Sequence, residues 1–355
     1  MKKKVSVGIS GINATDNPGP GVAVARSLIE ARKDLCLLGL SYDVHDPGNY
    51  IEDLFKNTFL MPYPTHGWKT LLAAIQNVKA KSGLDVLIPC LDAELPLMIR
   101  HQSQLEKLGI QTLLPNEKQF ELRSKDRLPL LSKEIRCLHP KTAVVNSLDE
   151  LVHALKTEIP LPAVVKGKYY KAYMVHNLDS AILKGSEIAA EWGFPLLVQQ
   201  VVFGHEINTI GLSDEKGNLV GRVSIKKQLT THLGKVWTAV TIQDDQLDEL
   251  CRRFCKATRW RGPFELECIL VGNQTGSKNG IYLIEINPRF PAWVYFATAV
   301  GVNLPSMLVD LIQRGKCTKK LDYPLGKYLV RQTSEFVSDL SNFHNLLSTG
   351  NREGL

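Results

Sequence analysis

Two stretches late in the chain, GPFELECILV and IYLIEINPR, hold the residue types best suited to chemistry. Each reads as a strand, in which side chains alternate between two faces. Glu285 and Asn287 then share one face, with Ile284 and Ile286 on the other. In the partner strand Glu265 and Glu267 share a face, opposite Leu266 and Cys268. A loop closing symmetrically between Val271 and Ile281 sets Glu267 across from Glu285 and Glu265 across from Asn287. Like charges directly opposite on a sheet are destabilising. Two carboxylates and an amide on one face make sense around a cation, and all-oxygen ligands suit Mg²⁺ or Mn²⁺. The same alternation also fits the solvent-facing side of an ordinary hairpin.

Other candidates flank this hairpin in sequence. Arg289 follows Pro288 directly after the acidic strand, where a guanidinium fork suits a phosphate or a carboxylate. Lys166 ends the apolar run PAVVK and points either into a cleft or into solvent. In LVQQVVFGHE, Gln199, Gln200 and Glu206 surround a strand-to-loop transition whose amides could read a nucleobase edge, and Glu206 could accept from ribose hydroxyls. At the start of the chain the loop GISGINATDNPGPG follows a strand and precedes a helix, but its glycines (Gly8, Gly11, Gly19, Gly21) do not fit GxGxxG. A structural role, or a share in an acceptor site at the carboxyl ends of the strands, suits it better. Asp92 and Glu94 also follow a strand, and either line that cleft or charge a helix N-terminus.

The elements that must position these residues are of two kinds. VSVGISG, LCLLGL and DVLIPCL are apolar throughout, as parallel strands are, and helical patterns separate them. This βαβ series predicts a parallel sheet covered by helices. Beyond residue 120, strand pairs bracket polar turns such as SDEKGN, which predicts antiparallel pairing. A helix is expected from Asn303 to Gly315, and the last 40 residues are weakly patterned.

Composition excludes several classes. The chain has 355 residues, 44% hydrophobic and 22% charged, which argues against disorder and leaves room for two or three compact units. No apolar run approaches the roughly 20 residues that cross a bilayer, so no membrane role is expected. Seven cysteines without CxxC pairs or zinc spacing suit reduced thiols and a cytoplasmic location. The net charge of +7 includes Lys316, Lys319, Lys320, Lys327 and Arg331, read as solvated surface, and no basic run is interleaved with aromatics as nucleic-acid binding requires.

The order of these segments along the chain resembles the ATP-grasp superfamily, the fold of carbamoyl phosphate synthases, biotin carboxylases and D-alanine ligases. The resemblance rests on SKDR with PAVVKGK, then LLVQQVVFGHEINTIG, then GPFELECIL with YLIEINPR, and spans residues 123 to 314. It implies an α/β plus α+β chain: an N-terminal parallel-sheet pre-ATP-grasp domain (1–119), a small lobe with the phosphate lid (120–197), a large lobe with the metal site (198–315) and a C-terminal extension (316–355). Carried over residue by residue, Glu267, Glu285 and Asn287 would bind Mg²⁺ (or Mn²⁺). Arg289 would hold the γ-phosphate or the acceptor carboxylate, and Lys125 and Lys166 the nucleotide phosphates. Gln199, with Gln200 and the backbone near Val202, would read adenine, and Glu206 the ribose. Lys227 is expected to add a phosphate contact, although spacing leaves Lys226 open. The implied activity is an ADP-forming carboxylate–amine ligase acting on small molecules through an acyl phosphate; homodimers are common in families of this kind. One departure is the lid, usually rich in Gly and Ser but here GKYYKAY. Lys168 and Lys171 could replace backbone donors with point charges; otherwise the chain is a nucleotide-binding sensor or assembly module with weak turnover.

Overall fold

The computed structural model describes residues 4–14, 17–125, 127–167, 171–272 and 279–353. The apolar runs of the first third become β1 (Val5–Ile9), β2 (Leu35–Ser41), β3 (Asn57–Leu60) and β4 (Leu84–Ile88). Four shorter strands follow: β5 (Thr142–Val145), β6 (Ala163–Lys166), β7 (Ala172–Val175) and β8 (Leu196–Gln200). The rest are β9 (His205–Ser213), β10 (Leu219–Thr230), β11 (Val236–Ile242), β12 (Gly262–Val271), β13 (Gly280–Asn287), β14 (Tyr328–Val330) and β15 (Asn351–Glu353).

Among the described residues these strands form three sheets, in the orders β15-β3-β2-β1-β4, β13-β12-β9-β10-β11-β14 and β5-β8-β6-β7. In the first, β1 pairs in parallel with both β2 and β4, and β2 with β3, as expected for buried apolar strands separated by helices. In the third, β8 pairs antiparallel with β5 and β6, and β6 with β7. The sequence SDEKGN closes the β9–β10 hairpin, with Asp214 N–H donating to Asn218 O at 3.0 Å.

The chain divides into two compact units. The first comprises Met1–Glu121, Asn208–Leu266 and Ile286–Leu355; the second comprises Leu122–Ile207 and Glu267–Glu285. In the first unit, helix Pro20–Ala31 lays Val24, Ala25 and Leu28 on a core shared with Val7, Ile9 and Phe290. The second is built on Val165, Val198, Leu151 and Ile188, beside a smaller cluster of Val202, Val271 and Tyr282.

The weakly patterned end of the chain is structured. Helix Leu340–Thr349 leads into β15, which pairs antiparallel with β3. Arg352, 7% exposed, donates to the Asn49 carbonyl and lies over the Tyr50 ring. A three-residue strand with one buried side chain has no sequence signature, which is why alternation did not reveal it.

The N-terminal glycine loop packs on itself. Gly21 N–H donates to Gly11 O at 2.9 Å, and a Cβ on Gly21 would stand 2.0 Å from Ser10 O. The glycine there makes room for the protein's own backbone, not for a dinucleotide's phosphates.

Candidate active site

In the second unit, Lys166 closes β6, and its ammonium donates to Gln199 Oε1 at 2.7 Å.

 Burial pushes this ammonium below the ordinary lysine range, while the Glu285 and Glu267 carboxylates hold it up. It is therefore no solvated strand end. Gln199, 8% exposed, passes the connection on by donating from Nε2 to Thr142 Oγ1 at 2.9 Å. Its carboxamide is thus held on both ends by the sheet.

Lys125 lies just before helix Leu128–Glu134 and donates to Gly167 O at 2.6 Å. Burial first, then the Lys166 charge, push it down to about 8, with Glu285 opposing. Two ammonium groups and two carboxylates of this unit therefore share one field. His139, whose Nδ1 lies 2.9 Å from Leu283 O, is pushed down by burial and by Lys166. Segment 138 itself is fixed by bonds to β13, with Leu138 N–H donating to Ile281 O and Leu283 N–H to Leu138 O, both at 2.9 Å.

The remaining second-unit candidates lie near the end of β8 and the start of β9. Gln200 Oε1 accepts from Lys141 N–H at 3.2 Å, Val202 is buried, and Glu206 is exposed on β9. Of the lid, Lys168 lies outside the described residues. Lys171 has φ +64° and pairs with Glu191. That exposed ion pair directs its charge along the surface, so a phosphate-facing role finds no support there.

In the first unit, Asn287 is buried and donates from Nδ2 to Glu265 Oε2 at 3.0 Å. Glu265 is 3% exposed, and its other oxygen accepts from Asn208 Nδ2 and Trp293 Nε1, each at 2.7 Å. Alternation placed Glu265 opposite Asn287, but its task, fixing which way the Asn287 amide turns, depends on the distant Asn208 and Trp293. Glu265→Leu leaves three buried N–H groups without an acceptor and is expected to cost about 4 kcal/mol. A urea titration checks this; a midpoint shift worth less than about 1 kcal/mol would mean that the network is dispensable.

Arg289 donates from Nε and Nη2 to Asp92 Oδ2 at 2.8 and 2.6 Å. Asp92 thus holds an arginine, while its neighbour Glu94 turns inward. Glu94, 1% exposed, accepts from Ser10 Oγ, from the backbone N–H of Cys90 and Leu91 at 2.9 Å, and from Tyr42 OH at 2.5 Å. Burial raises its pKa against those four donors. It ties β1, β2 and β4 together rather than lining an open cleft.

Lys227 projects from β10 and donates to Gly234 O at 3.3 Å; Lys226, one residue earlier, faces the other side. Arg331, expected on solvated surface, is instead largely buried beyond β14, where burial pushes it down to about 10. Its place in a run of surface lysines masked this, because β14 is only three residues long.

Among the described residues no three His, Cys, Asp or Glu side chains cluster as a metal site. The candidate set is two carboxylates and a carboxamide, a mixture that suits a hard cation. Asn287 donates from Nδ2 to Glu265, and an amide oxygen is a ligand of the class such a cation takes.

No protein-family model matches the chain. Solved structures do match it. The N5-carboxyaminoimidazole synthetase from Staphylococcus aureus, complexed with ADP, is 13% identical, with 92% of this chain and 82% of that one covered at a TM-score of 0.69. The biotin carboxylase domain dimer of Hydrogenobacter thermophilus 2-oxoglutarate carboxylase, in complex with MgADP, ADP and bicarbonate, is 17% identical, with 92% and 73% covered at 0.66. The L-amino acid ligase from Bacillus licheniformis is 13% identical, with 88% and 75% covered at 0.65. At these identities the likeness is one of fold: the chain shares the architecture of these synthetase, carboxylase and ligase structures.

Proposed function

We propose that the chain is an ATP-dependent, ADP-forming ligase that joins a small carboxylic acid to an amine. The observation that carries this is the second unit's pair of desolvated lysines. Lys125 and Lys166 sit close enough for one charge to depress the other, beside Glu267 and Glu285. Holding two partly buried ammonium groups together costs free energy that a bound polyphosphate would return. The fold neighbours support the reading, since by name they include a synthetase with ADP, a carboxylase domain with MgADP and an amino acid ligase.

A divalent cation held by Glu267, Glu285 and Asn287 would neutralise charge on the phosphates. Lys125 and Lys166 would donate to phosphate oxygens and keep the γ-phosphoryl group in line. Glu265 would keep the Asn287 amide turned, and Arg289, held by Asp92, would hold the γ-phosphate or the acceptor carboxylate. Glu206, exposed on β9, would accept from the ribose, while Gln199, Gln200 and the backbone at Val202 would line the adenine. Lys227 would add a phosphate contact. A carboxylate oxygen attacks the γ-phosphorus and the bond to the bridging oxygen breaks, giving an acyl phosphate and ADP. An amine nitrogen then attacks the acyl carbon, loses its proton, and inorganic phosphate leaves.

The same reading places the protein in the cytoplasm, as a homodimer working on small molecules. No helix among the described residues is long and apolar enough to cross a membrane. Product analysis tests the activity: with Mg-ATP and pooled amino acids and carboxylic acids, ADP and phosphate are expected only with certain pools. AMP and pyrophosphate would overturn the acyl phosphate route. Tight ATP binding without product in any pool would favour a nucleotide sensor.

A further inference from the structure

A lysine ammonium can be held by three kinds of oxygen, and they differ in what they demand. A backbone carbonyl is fixed by the chain, as where Lys125 meets Gly167 O and Lys79 meets Leu84 O. A carboxylate presents oxygen at both of its atoms, as Glu187 does to Lys184. A carboxamide has one end that accepts and one that donates, so when turned over it sets an NH₂ group against the ammonium. Lys166 is held in this third way, by Gln199 Oε1 at 2.7 Å. Something must therefore decide which way the Gln199 amide lies.

The sheet supplies it. β8 runs between β5 and β6, with Gln199 opposite Thr142 on one side and Val164 on the other. Opposite residues on neighbouring strands point to the same face, and Lys166, two residues beyond Val164, shares it. Thr142 Oγ1 donates its one proton to Pro140 O at 2.9 Å, which leaves it only lone pairs to offer. Gln199 Nε2 donates to that oxygen at 2.9 Å. His139 Nε2, at 3.5 Å, lies too far to draw the hydroxyl proton away. Threonine is also stiff at χ1, so the hydroxyl keeps its place. The commitments run in one direction: Pro140 O orients the hydroxyl, the hydroxyl orients the amide, and the amide orients the ammonium.

We propose that Thr142 is a positioning residue of the nucleotide site, which acts through Gln199 to aim the Lys166 ammonium at the phosphates. This rests on the reading of Lys166 as a phosphate-binding group. Without the hydroxyl the amide is free to turn over, and an ammonium that meets an NH₂ group swings away from its aim. A displacement of about 1 Å is enough to weaken a charge-assisted bond to phosphate.

Equilibrium titration with Mg-ATP tests it on four proteins: the wild type, Thr142→Val, Lys166→Met and the double variant. Thr142→Val keeps the shape of the side chain and removes the hydroxyl. It is expected to bind Mg-ATP about tenfold more weakly. In the Lys166→Met background the same change should alter affinity by less than about twofold, because the group it acts through has gone. A merely structural role would weaken both backgrounds alike. Thr142→Ser keeps the hydroxyl and should bind within about threefold of the wild type. Wild-type affinity in Thr142→Val, equal losses in the two backgrounds, or Thr142→Ser as weak as Thr142→Val would each overturn the proposal. The two readings fail differently. If Lys166→Met binds Mg-ATP as the wild type does, Lys166 holds no phosphate and both fall. If Lys166→Met weakens binding and Thr142→Val does not, the positioning role falls alone. If the binding results hold and no carboxylic acid elicits ADP, the ligase reading falls and the positioning role stands.

Discussion

Glu285→Gln is expected to lower ADP formation by about two to three orders of magnitude, the usual effect of removing a group that stabilises charge in the transition state. The change keeps the size of the side chain and exchanges a carboxylate for an amide. Glu285 is exposed at the end of β13, so no packing is lost. Nucleotide binding gives the sharper reading. With Mg²⁺ present, ATP affinity should fall, because a hard cation loses one of its anionic ligands. In EDTA it should hold or rise, because one negative charge beside the phosphates has gone. Titrations in both buffers and an ADP-release assay check this. Wild-type turnover in the variant would remove Glu285 from the site.

Lys166→Met should cost about a hundredfold in kcat/KM, as loss of a charge-assisted bond to phosphate does. It also carries a pH signature that mere damage would not reproduce. Lys125 titrates at about 8 because burial and the Lys166 charge both disfavour its ammonium form. In the wild type, ATP binding should therefore weaken as pH rises through about 8. Without the Lys166 charge, the Lys125 ammonium is favoured, its pKa rises, and the alkaline limit moves to higher pH. Stability runs the other way. The unfolded lysine holds its proton to a higher pH than the folded one, so folding grows more favourable as pH rises from about 8 toward the ordinary lysine value. ATP titrations between pH 7 and 10 on both proteins check the signature; an unmoved limit would mean that the two lysines do not act on one phosphate group.

Much of this was legible in the sequence because period and spacing are local. Strand alternation put Glu265 and Asn287 on neighbouring strands, and Asn287 Nδ2 donates to Glu265 Oε2. The apolar runs β1, β2 and β4 read as parallel strands because burial on both faces leaves no alternation. What could not be read depends on partners far away in the chain. Glu94 is fixed by Ser10 and Tyr42, 84 and 52 residues earlier. Glu265 is fixed by Asn208, 57 residues earlier. Arg331 meets Asn17 across 314 residues, and nothing in the surrounding lysines distinguishes it. The carboxamide of Gln199 is held by Lys166 and Thr142, 33 and 57 residues earlier, which its own segment does not reveal.

The pairing of β15 with β3 bears on how the protein is made. A ribosome releases β3 almost three hundred residues before its antiparallel neighbour. During that interval β3 is the exposed margin of a nascent sheet, with unpaired amides and carbonyls able to recruit another chain. The first unit, gathered from three separate lengths of polypeptide, closes only when synthesis reaches Arg352 and that side chain caps the Asn49 carbonyl. Its folding is thus gated by the slow search for a far-off piece of the same molecule.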